Sequence, residues 1–192
     1  MIIIGITGSI GCGKTYLANM IKSLGFSVYN PDVWVHELYT KSSFLKVIEK
    51  NFPKSFENGV FNKRILRNCV FGNNKQLQKL ESLIHPFLKQ KLKSIVHQYA
   101  QKNDFLFLDV ALLFEMEWHK YCDYVIVADA DEQTQKQRVM KRDNVSEEDF
   151  AKITAIQIPQ QHKKELADYV IDTTMPDGIN KVQIIKFMEE IV

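Results

Sequence analysis

An apolar run opens the chain and leads directly into a glycine-rich segment. Residues 2–6 comprise four isoleucines and one glycine. A continuous β-branched run is typical of a strand with both faces buried. Residues 16–24 have the pattern of a helix, and Gly25 marks its end. The first part of the chain therefore predicts a strand, a loop and a helix, in that order.

The alternation of strands and helices continues along most of the chain. Predicted strands cover residues 26–29, 105–110, 124–128 and 170–172. Predicted helices cover residues 33–39, 132–142 and 179–191, and another begins at Ser146, with Asp149 three positions later as in a capping pair. This alternation predicts an α/β fold with a parallel sheet and right-handed crossovers.

Residues 42–101 interrupt the alternation. Their apolar positions recur at helical spacing, with polar breaks at 57–59 and 72–74. His85 and Pro86 are predicted to open a further helix that runs to Val96, and no strand is predicted in this part. The pattern indicates a helical insertion that covers the substrate.

Composition narrows the possible partners and the location. The formal net charge is +2 and no long run of one sign occurs, so we expect no nucleic-acid and no membrane partner. Three separated cysteines without a C-x-x-C pair predict neither a disulfide framework nor a zinc site, and they suit a reducing cytoplasm. No secretion signal and no apolar segment of 18 residues is recognised, so we expect a cytoplasmic protein.

Residues 8–15 form a complete G-x-x-x-x-G-K-[ST] phosphate-binding loop. Its glycines let successive N–H groups converge on phosphate oxygens, and the following helix adds the positive end of its dipole. Lys14 would reach the β- and γ-phosphates, and the Thr15 hydroxyl would ligate Mg²⁺. A glycine-rich turn after a buried strand is the alternative, but the complete motif in this context favours ATP binding. The predicted ATP-binding residues are Gly8, Ser9, Ile10, Gly11, Cys12, Gly13, Lys14 and Thr15.

Two aspartates lie at predicted strand ends, where ligands bind in open parallel sheets. Pro31 ends the second strand, and Asp32 is expected to cap the next helix. Asp109 follows four apolar residues and is similar in position to the carboxylate that holds Mg²⁺ in phosphate-loop enzymes. Spacing alone leaves open whether Asp109 is a metal ligand or a carboxylate that caps a loop.

Arg138 and Arg142 stand four residues apart and therefore share one face of a predicted helix. Two guanidinium groups on one face could clamp a phosphoryl group, or they could form a solvated surface.

A GTPase switch is excluded, because no glycine has an aspartate three positions before it and no N-K-x-D motif occurs. A small-molecule kinase needs a base, an acceptor-binding insertion and a basic lid, and the chain has a candidate for each.

Further motifs occur in a characteristic order along nearly the whole chain. They are T-G-x-I-G-x-G-K-T at 7–15, Val35-His36-Glu37-Leu38 after Asp32, Arg64-Ile65-Leu66 leading to Val70-Phe71, His85-Pro86, Leu112-Leu113-Phe114-Glu115, residues 137–143, Gln157 and residues 167–172. Through these motifs the chain resembles the dephospho-coenzyme A kinases, which are phosphate-loop small-molecule kinases. The resemblance implies transfer of the ATP γ-phosphoryl group to the ribose 3′-hydroxyl of dephospho-coenzyme A, the last step of coenzyme A synthesis.

The resemblance also implies roles for individual residues. Asp32 would act as the general base, while Lys14, Arg138, Arg142 and Mg²⁺ would stabilise the transferred group. The metal would be held through Thr15 and Asp109. The acceptor would meet His36, Arg64 and His85, for which a packed histidine, a helix-surface charge and an N-terminal turn remain the alternatives. The implied domains are a nucleotide-binding core (1–31, 104–130 and 155–192), an acceptor-binding insertion (32–103) and a lid (131–154).

Three positions depart from the family pattern. Asn30 replaces the first aspartate of a D-A-D motif, and Ala111 replaces a proline. The segment after Gln157 lacks an arginine, whose charge Lys163 or Lys164 could supply.

The helix N-terminus beside Cys12 is expected to favour the thiolate form of the Cys12 side chain. Another phosphate-loop small-molecule or nucleoside monophosphate kinase is the first alternative function, and a non-catalytic ATP-binding module is the second.

Overall fold

A parallel sheet forms the centre of the first of two units of the chain. The computed structural model describes residues 1–70, 73–99, 105–155 and 157–192. The first unit comprises Met1–Asn30 and Ala100–Val192, and the second comprises Pro31–Tyr99. The strands are β1 (Ile2–Thr7), β2 (Ser27–Tyr29), β3 (Phe56–Glu57), β4 (Val60–Phe61), β5 (Phe105–Asp109), β6 (Tyr124–Asp129) and β7 (Tyr169–Asp172).

Helices connect these strands. They are α1 (Lys14–Ser23), α2 (Pro31–Leu38), α3 (Ser42–Asn51), α4 (Lys63–Val70), α5 (Asn74–Tyr99), α6 (Glu132–Asp143), α7 (Glu147–Thr154), α8 (Gln160–Leu166) and α9 (Asp177–Glu190), with 3₁₀ turns at Pro53–Ser55 and Trp118–Tyr121. Within the described residues, the sheet of the first unit has the order β2-β5-β1-β6-β7, and its pairs are all parallel. The α/β fold predicted from the sequence is confirmed.

The core of the first unit explains the continuous apolar runs. Ile4 and Ile6 of β1 are fully buried on one face of the sheet, where they join a cluster with Leu17 and Ile21 of α1 and with residues of α9. On the other strands, neighbouring residues such as Leu106, Phe107 and Leu108 are also fully buried, so both faces of the sheet are covered. The register sets Ile6 opposite Asp109 and Thr7 opposite Val127 at the carboxyl ends of the strands.

The second unit packs its helices around α5. Leu80, Ile84, Leu88, Leu92 and Ile95 recur at helical spacing on one buried face of α5. The prediction that Pro86 opens a new helix is wrong, because Pro86 lies inside this 26-residue helix. A proline removes one backbone hydrogen bond, and the buried apolar stripe on both sides of Pro86 outweighs that loss.

A short hairpin also corrects the sequence-based expectation for the second unit. No strand was predicted there, yet β3 and β4 pair antiparallel around the turn residues Asn58 and Gly59. Both residues have positive φ (51° and 78°), as the tight turn of a two-residue hairpin requires. The turn predicted at residues 57–59 is confirmed, but two-residue strands are too short to produce an apolar alternation.

Several element boundaries differ from the predictions. Helix α2 begins at Pro31, so Asp32 lies in its first turn and is not the residue that caps it. Strand β5 ends at Asp109, one residue before the predicted end, and helix α8 was not predicted. The predicted Ser146 cap is confirmed, because its Oγ accepts a hydrogen bond from the Asp149 N–H at 3.2 Å.

Among the helices of the described residues, we find none long and apolar enough to cross a bilayer.

Candidate active site

The phosphate loop lies between β1 and α1, and its glycines are required by geometry. Gly11 and Gly13 both have φ of +83°, a conformation that side chains disfavour. A Cβ at Gly11 would lie 2.5 Å from the backbone oxygen of Gln135 on α6, and one at Gly13 would lie 2.6 Å from the Thr173 hydroxyl. The loop therefore packs tightly against α6 and against the segment after β7.

A cavity of about 630 Å³ opens beside this loop. It is entirely lined by residues of the first unit, and Lys14, Thr15, Arg138 and Arg142 are among them. The cavity is lined by Gly8, Ser9, Ile10, Gly11, Gly13, Lys14, Thr15, Tyr16, Ala111, Arg138, Arg142, Ile153, Gln157, Thr173, Met175 and Asp177. The fold thus brings the predicted phosphate-binding residues together with both predicted arginines.

Lys14 forms an ion pair with Asp109 at the end of β5. Both side chains are largely buried, at 16% and 14% exposure, so the pair is shielded from solvent. The contact arises because β5 lies next to β1, which carries the loop. An anion entering the cavity would offer Lys14 a second partner close to Asp109.

Thr15 and Asp109 offer the donor set that suits Mg²⁺. A hydroxyl and a carboxylate are hard oxygen ligands, and Mg²⁺ in kinases takes only one or two carboxylates, with phosphate oxygens and water as the remaining ligands. The described residues contain no group of three or more His, Cys, Asp or Glu side chains that could hold a metal by itself. The residues present fit a magnesium ion that arrives with a nucleotide.

Arg138 is held firmly against the phosphate loop. Its guanidinium donates to the Thr173 hydroxyl at 2.9 Å, to the Thr173 carbonyl oxygen at 3.2 Å and to the Gly11 carbonyl oxygen at 3.3 Å. Thr173 follows β7, and its hydroxyl also bonds the carbonyl oxygen of Cys12 at 2.8 Å. Arg138 is therefore oriented by the loop that it lies beside.

Arg142 lies one turn further along α6 and is more exposed. It donates two hydrogen bonds to the Asp143 carboxylate, both at 2.7 Å, and this contact raises the pKa of Arg142 and lowers the pKa of Asp143. Both arginines line the cavity, as their spacing on one helical face predicted. Of these two arginines, Arg138 hydrogen-bonds to the phosphate loop, whereas the described hydrogen bonds of Arg142 go to Asp143.

Two glutamines that sequence reasoning did not place in the site also bind the loop. The Ile10 N–H donates to Gln157 Oε1 at 2.9 Å, and the Ser9 N–H donates to Gln160 Oε1 at 3.0 Å. Gln157 belongs to a family motif without a predicted role, and Gln160 and Thr173 belong to no recognised motif. They lie about 150 residues from the loop in sequence, and no local pattern signals such a contact.

The two lysines considered as substitutes for a missing arginine are engaged elsewhere. Lys163 is fully buried and pairs with Glu115 at 2.9 Å, and its ammonium also approaches the Ala111 carbonyl oxygen at 3.4 Å. Lys164 pairs with Asp129 at 2.8 Å, which raises the pKa of Lys164. Neither lysine lines the cavity.

The expectation that Cys12 is a thiolate is wrong. The Cys12 side chain is fully buried in the apolar core, and burial raises its pKa to about 12. Its position in the loop points the thiol away from solvent, so desolvation exceeds the effect of the neighbouring N–H groups. Only the Cys12 backbone is therefore available for a phosphate contact.

The predicted acceptor-binding residues and the predicted base all belong to the second unit. Asp32 and His36 are exposed on α2, one turn apart. His85 lies in the middle of α5, and its Nε2 atom is buried without a hydrogen-bond partner among the described residues. Arg64 lines a cavity of about 440 Å³ in this unit.

The 440 Å³ cavity combines apolar walls with positive charge. Tyr39, Leu66, Val70 and Leu80 form part of the wall, and Lys63, Arg64 and Arg67 of α4 complete it. None of these three cations forms an ion pair with another described residue. Lys63 and Arg64 also stand in the first turn of α4, where positive charge opposes the helix dipole.

Known proteins with similar sequences cover most of the chain. A family model described as dephospho-CoA kinase matches residues 2–177. A protein named dephospho-CoA kinase from Bartonella quintana is 39% identical over 174 residues, which cover 90% of this chain and 89% of that protein.

Solved structures with the same fold include two bacterial proteins. TT1252 from Thermus thermophilus is 26% identical with a TM-score of 0.87, and the match covers 100% of this chain and 97% of that one. A dephospho-CoA kinase from Campylobacter jejuni is 25% identical with a TM-score of 0.66, covering 98% and 96%. The resemblance drawn from the sequence motifs is confirmed, and the chain belongs to the dephospho-CoA kinase family.

Proposed function

We propose that the protein transfers the γ-phosphoryl group of ATP to the ribose 3′-hydroxyl of dephospho-coenzyme A, giving coenzyme A and ADP. The observation that carries this proposal is the cavity of the first unit, where Lys14 and two arginines line the space beside a complete phosphate loop. Membership of the dephospho-CoA kinase family supports the choice of acceptor.

Catalysis would come mainly from positioning and charge neutralisation, because phosphoryl transfer requires little covalent chemistry from the protein. Lys14 would leave Asp109 for the β- and γ-phosphates. The N–H groups of Arg138 that are not bound to Thr173 or Gly11 would donate to oxygens of the transferred group. Arg142 would add a second, more exposed charge. Residues 131–154 would form the lid that carries both arginines.

Thr15 and Asp109 would hold Mg²⁺ when the nucleotide is bound. The ion would neutralise developing negative charge on the phosphate oxygens. The Lys14–Asp109 pair supports this role, because it keeps a carboxylate next to the lysine that binds the same phosphates.

Asp32 would accept the proton of the attacking hydroxyl as general base. Its exposed position in the first turn of α2, three residues after β2, supports this role. His36 on the next turn of α2 would bind the same acceptor.

The cavity lined by α4 would bind the rest of the acceptor. Lys63, Arg64 and Arg67 would pair with the anionic diphosphate of dephospho-coenzyme A, and the apolar wall would contact its pantetheine arm. His85 would contribute its buried Nε2 atom to the acceptor site.

We expect the protein to act in the cytoplasm.

The deciding experiment measures ADP release with ATP and Mg²⁺ across a panel of acceptors. The panel contains dephospho-coenzyme A, nucleoside monophosphates, nucleosides, shikimate and a blank without acceptor. Release only with dephospho-coenzyme A, with coenzyme A as product, is the expected result. Release with a different acceptor would contradict the proposed substrate.

The proposed base is tested by Asp32→Asn. We expect kcat to fall by about 10²–10⁴-fold, because the amide cannot accept the proton. The ATP dissociation constant should stay within about twofold, since the triphosphate is bound by the first unit. Near-normal turnover in this variant would rule out a role for Asp32 as base.

A further inference from the structure

Gln157 and Gln160 bind neighbouring N–H groups of the phosphate loop but use their amides differently. Each side-chain oxygen accepts one loop N–H, from Ile10 and Ser9 respectively. The Gln160 Nε2 group also donates to the Ala128 carbonyl oxygen at 3.0 Å and to Asp129 Oδ1 at 2.9 Å. Every hydrogen of the Gln160 amide is therefore committed within the protein.

The amide nitrogen of Gln157 is not committed in this way. Its Nε2 group donates to no residue that the structure describes, although its oxygen is fixed on the Ile10 N–H. Because an amide group is planar, a fixed oxygen also limits where the two Nε2 hydrogens can point. Gln157 lines the phosphate-loop cavity, whereas Gln160 does not. The site therefore holds an oriented pair of neutral donors at its wall.

Contacts next to Gln157 connect it to the segment that follows β5. The next residue, Ile158, donates its N–H to Glu115 Oε1 at 2.9 Å, and the buried Lys163 binds the same oxygen. Glu115 belongs to the segment that follows β5, which ends at Asp109 beside Lys14. Glu115 thus links the residue after Gln157 to the segment that begins at Asp109, the partner of Lys14, which would reach the outer phosphates.

We propose that Gln157 donates a hydrogen bond from Nε2 to the γ-phosphate of ATP and thereby distinguishes ATP from ADP. This inference rests on the proposed use of ATP in the same cavity. The hydrogen bond to Ile10 orients the amide in advance, so little freedom is lost when the nucleotide binds. A hydrogen bond to a charged oxygen is strong enough for an affinity change of about tenfold.

The test compares the dissociation constants of ATP and ADP by calorimetry, with Mg²⁺ and without an acceptor. In Gln157→Ala, we expect ATP to bind about tenfold more weakly and ADP to stay within about twofold of the wild type. A loss of the same size for both nucleotides would overturn the proposal, because it would reduce Gln157 to a support for the loop.

A second variant covers the case in which the alanine disturbs folding. The carboxylate of Gln157→Glu can still accept the Ile10 N–H, but it has no donor and repels the γ-phosphate. We expect its ATP affinity to fall by more than tenfold and its ADP affinity to fall clearly less. ATP binding equal to the wild type, or equal losses for ATP and ADP, would contradict the proposal.

Two neighbouring glutamines provide matched controls. Gln161 is exposed on α8, and among the described residues its side chain donates only to Glu165, so Gln161→Ala should leave both affinities unchanged. Gln160→Ala removes a support of the loop and should weaken ATP and ADP equally. No acceptor is present in these measurements, so a failure of the proposed transfer to dephospho-coenzyme A is detected separately, in the acceptor panel.

Discussion

The cations that line the two cavities differ in the partners that they have within the protein. In the first unit, Arg138 is bound to Thr173 and Gly11, and Lys14 is paired with Asp109. In the second unit, the cations of α4 line an apolar cavity without an ion-pair partner among the described residues. Partners that are already in place orient a charge for a ligand of fixed shape, whereas cations that form no ion pair with a described residue remain available to a flexible anion.

This difference matches the two halves of the proposed reaction. The transferred phosphoryl group needs donors within a fraction of an ångström of their final positions, and a network of hydrogen bonds supplies that order. A long acceptor needs affinity more than exact placement of each part, and charge with apolar area supplies it. Mutation of a cation in the first-unit cavity should therefore change kcat, and mutation of the α4 cations should change the acceptor KM.

Among the cations that line the two cavities, the largest effect is expected at Arg138. Arg138→Ala should lower kcat with dephospho-coenzyme A by about 10²-fold, because a preorganised donor to the transferred group is lost. ADP release at saturating substrates measures the change. The matched control is Lys141→Ala, an exposed cation of α6 that does not line the cavity. If Arg138→Ala retained more than half of the wild-type kcat, the preorganised role would be refuted.

A smaller effect is expected from the cations of the second unit. The double change Arg64→Ala and Arg67→Ala should raise the KM for dephospho-coenzyme A about tenfold, through the loss of charged hydrogen bonds to the diphosphate. The ATP dissociation constant should not move. Lys93→Ala, which removes an exposed cation of α5 away from the cavity, serves as the control. An unchanged acceptor KM would separate this cavity from the acceptor site.

The smallest effect concerns the thiol inside the phosphate loop. With its pKa raised to about 12, Cys12 would be ionised to a fraction on the order of 10⁻⁴ at pH 8. Its thiolate form is lost as the pH falls below that value, so iodoacetamide at pH 8 should scarcely label it. Mass spectrometry after labelling, with a urea-unfolded sample as control, measures this. Rapid labelling of the folded protein at Cys12 would contradict the burial that separates it from solvent.

Sequence reasoning succeeded wherever a feature depends on neighbouring residues. The phosphate loop was recognised because its glycines, lysine and threonine are contiguous, and strands β1, β5 and β6 because burial on both faces demands unbroken apolar runs. The shared face of Arg138 and Arg142 follows from helical spacing alone. Roles for Asp32, His36, Arg64 and His85 rest on the family motif and stay predictions.

Features that depend on distant residues could not be predicted. The continuation of α5 through Pro86 depends on packing of an apolar stripe on both sides of the proline, which a local rule for proline ignores. The burial of Cys12 depends on which way the loop turns its side chains against the core. Contacts of Gln157, Gln160 and Thr173 with the loop arise only when the sheet is assembled.

The sequence by itself determined a phosphate loop on a parallel α/β sheet and two arginines on one helical face, since each depends on spacings of a few residues. Only the tertiary structure decided that Arg138 is held by Thr173, that the Gln157 amide nitrogen at the cavity wall donates to no described residue, and that the Cys12 side chain is buried. The physical reason is that strand order, and not proximity along the chain, brings β5, β6 and β7 around the loop of β1.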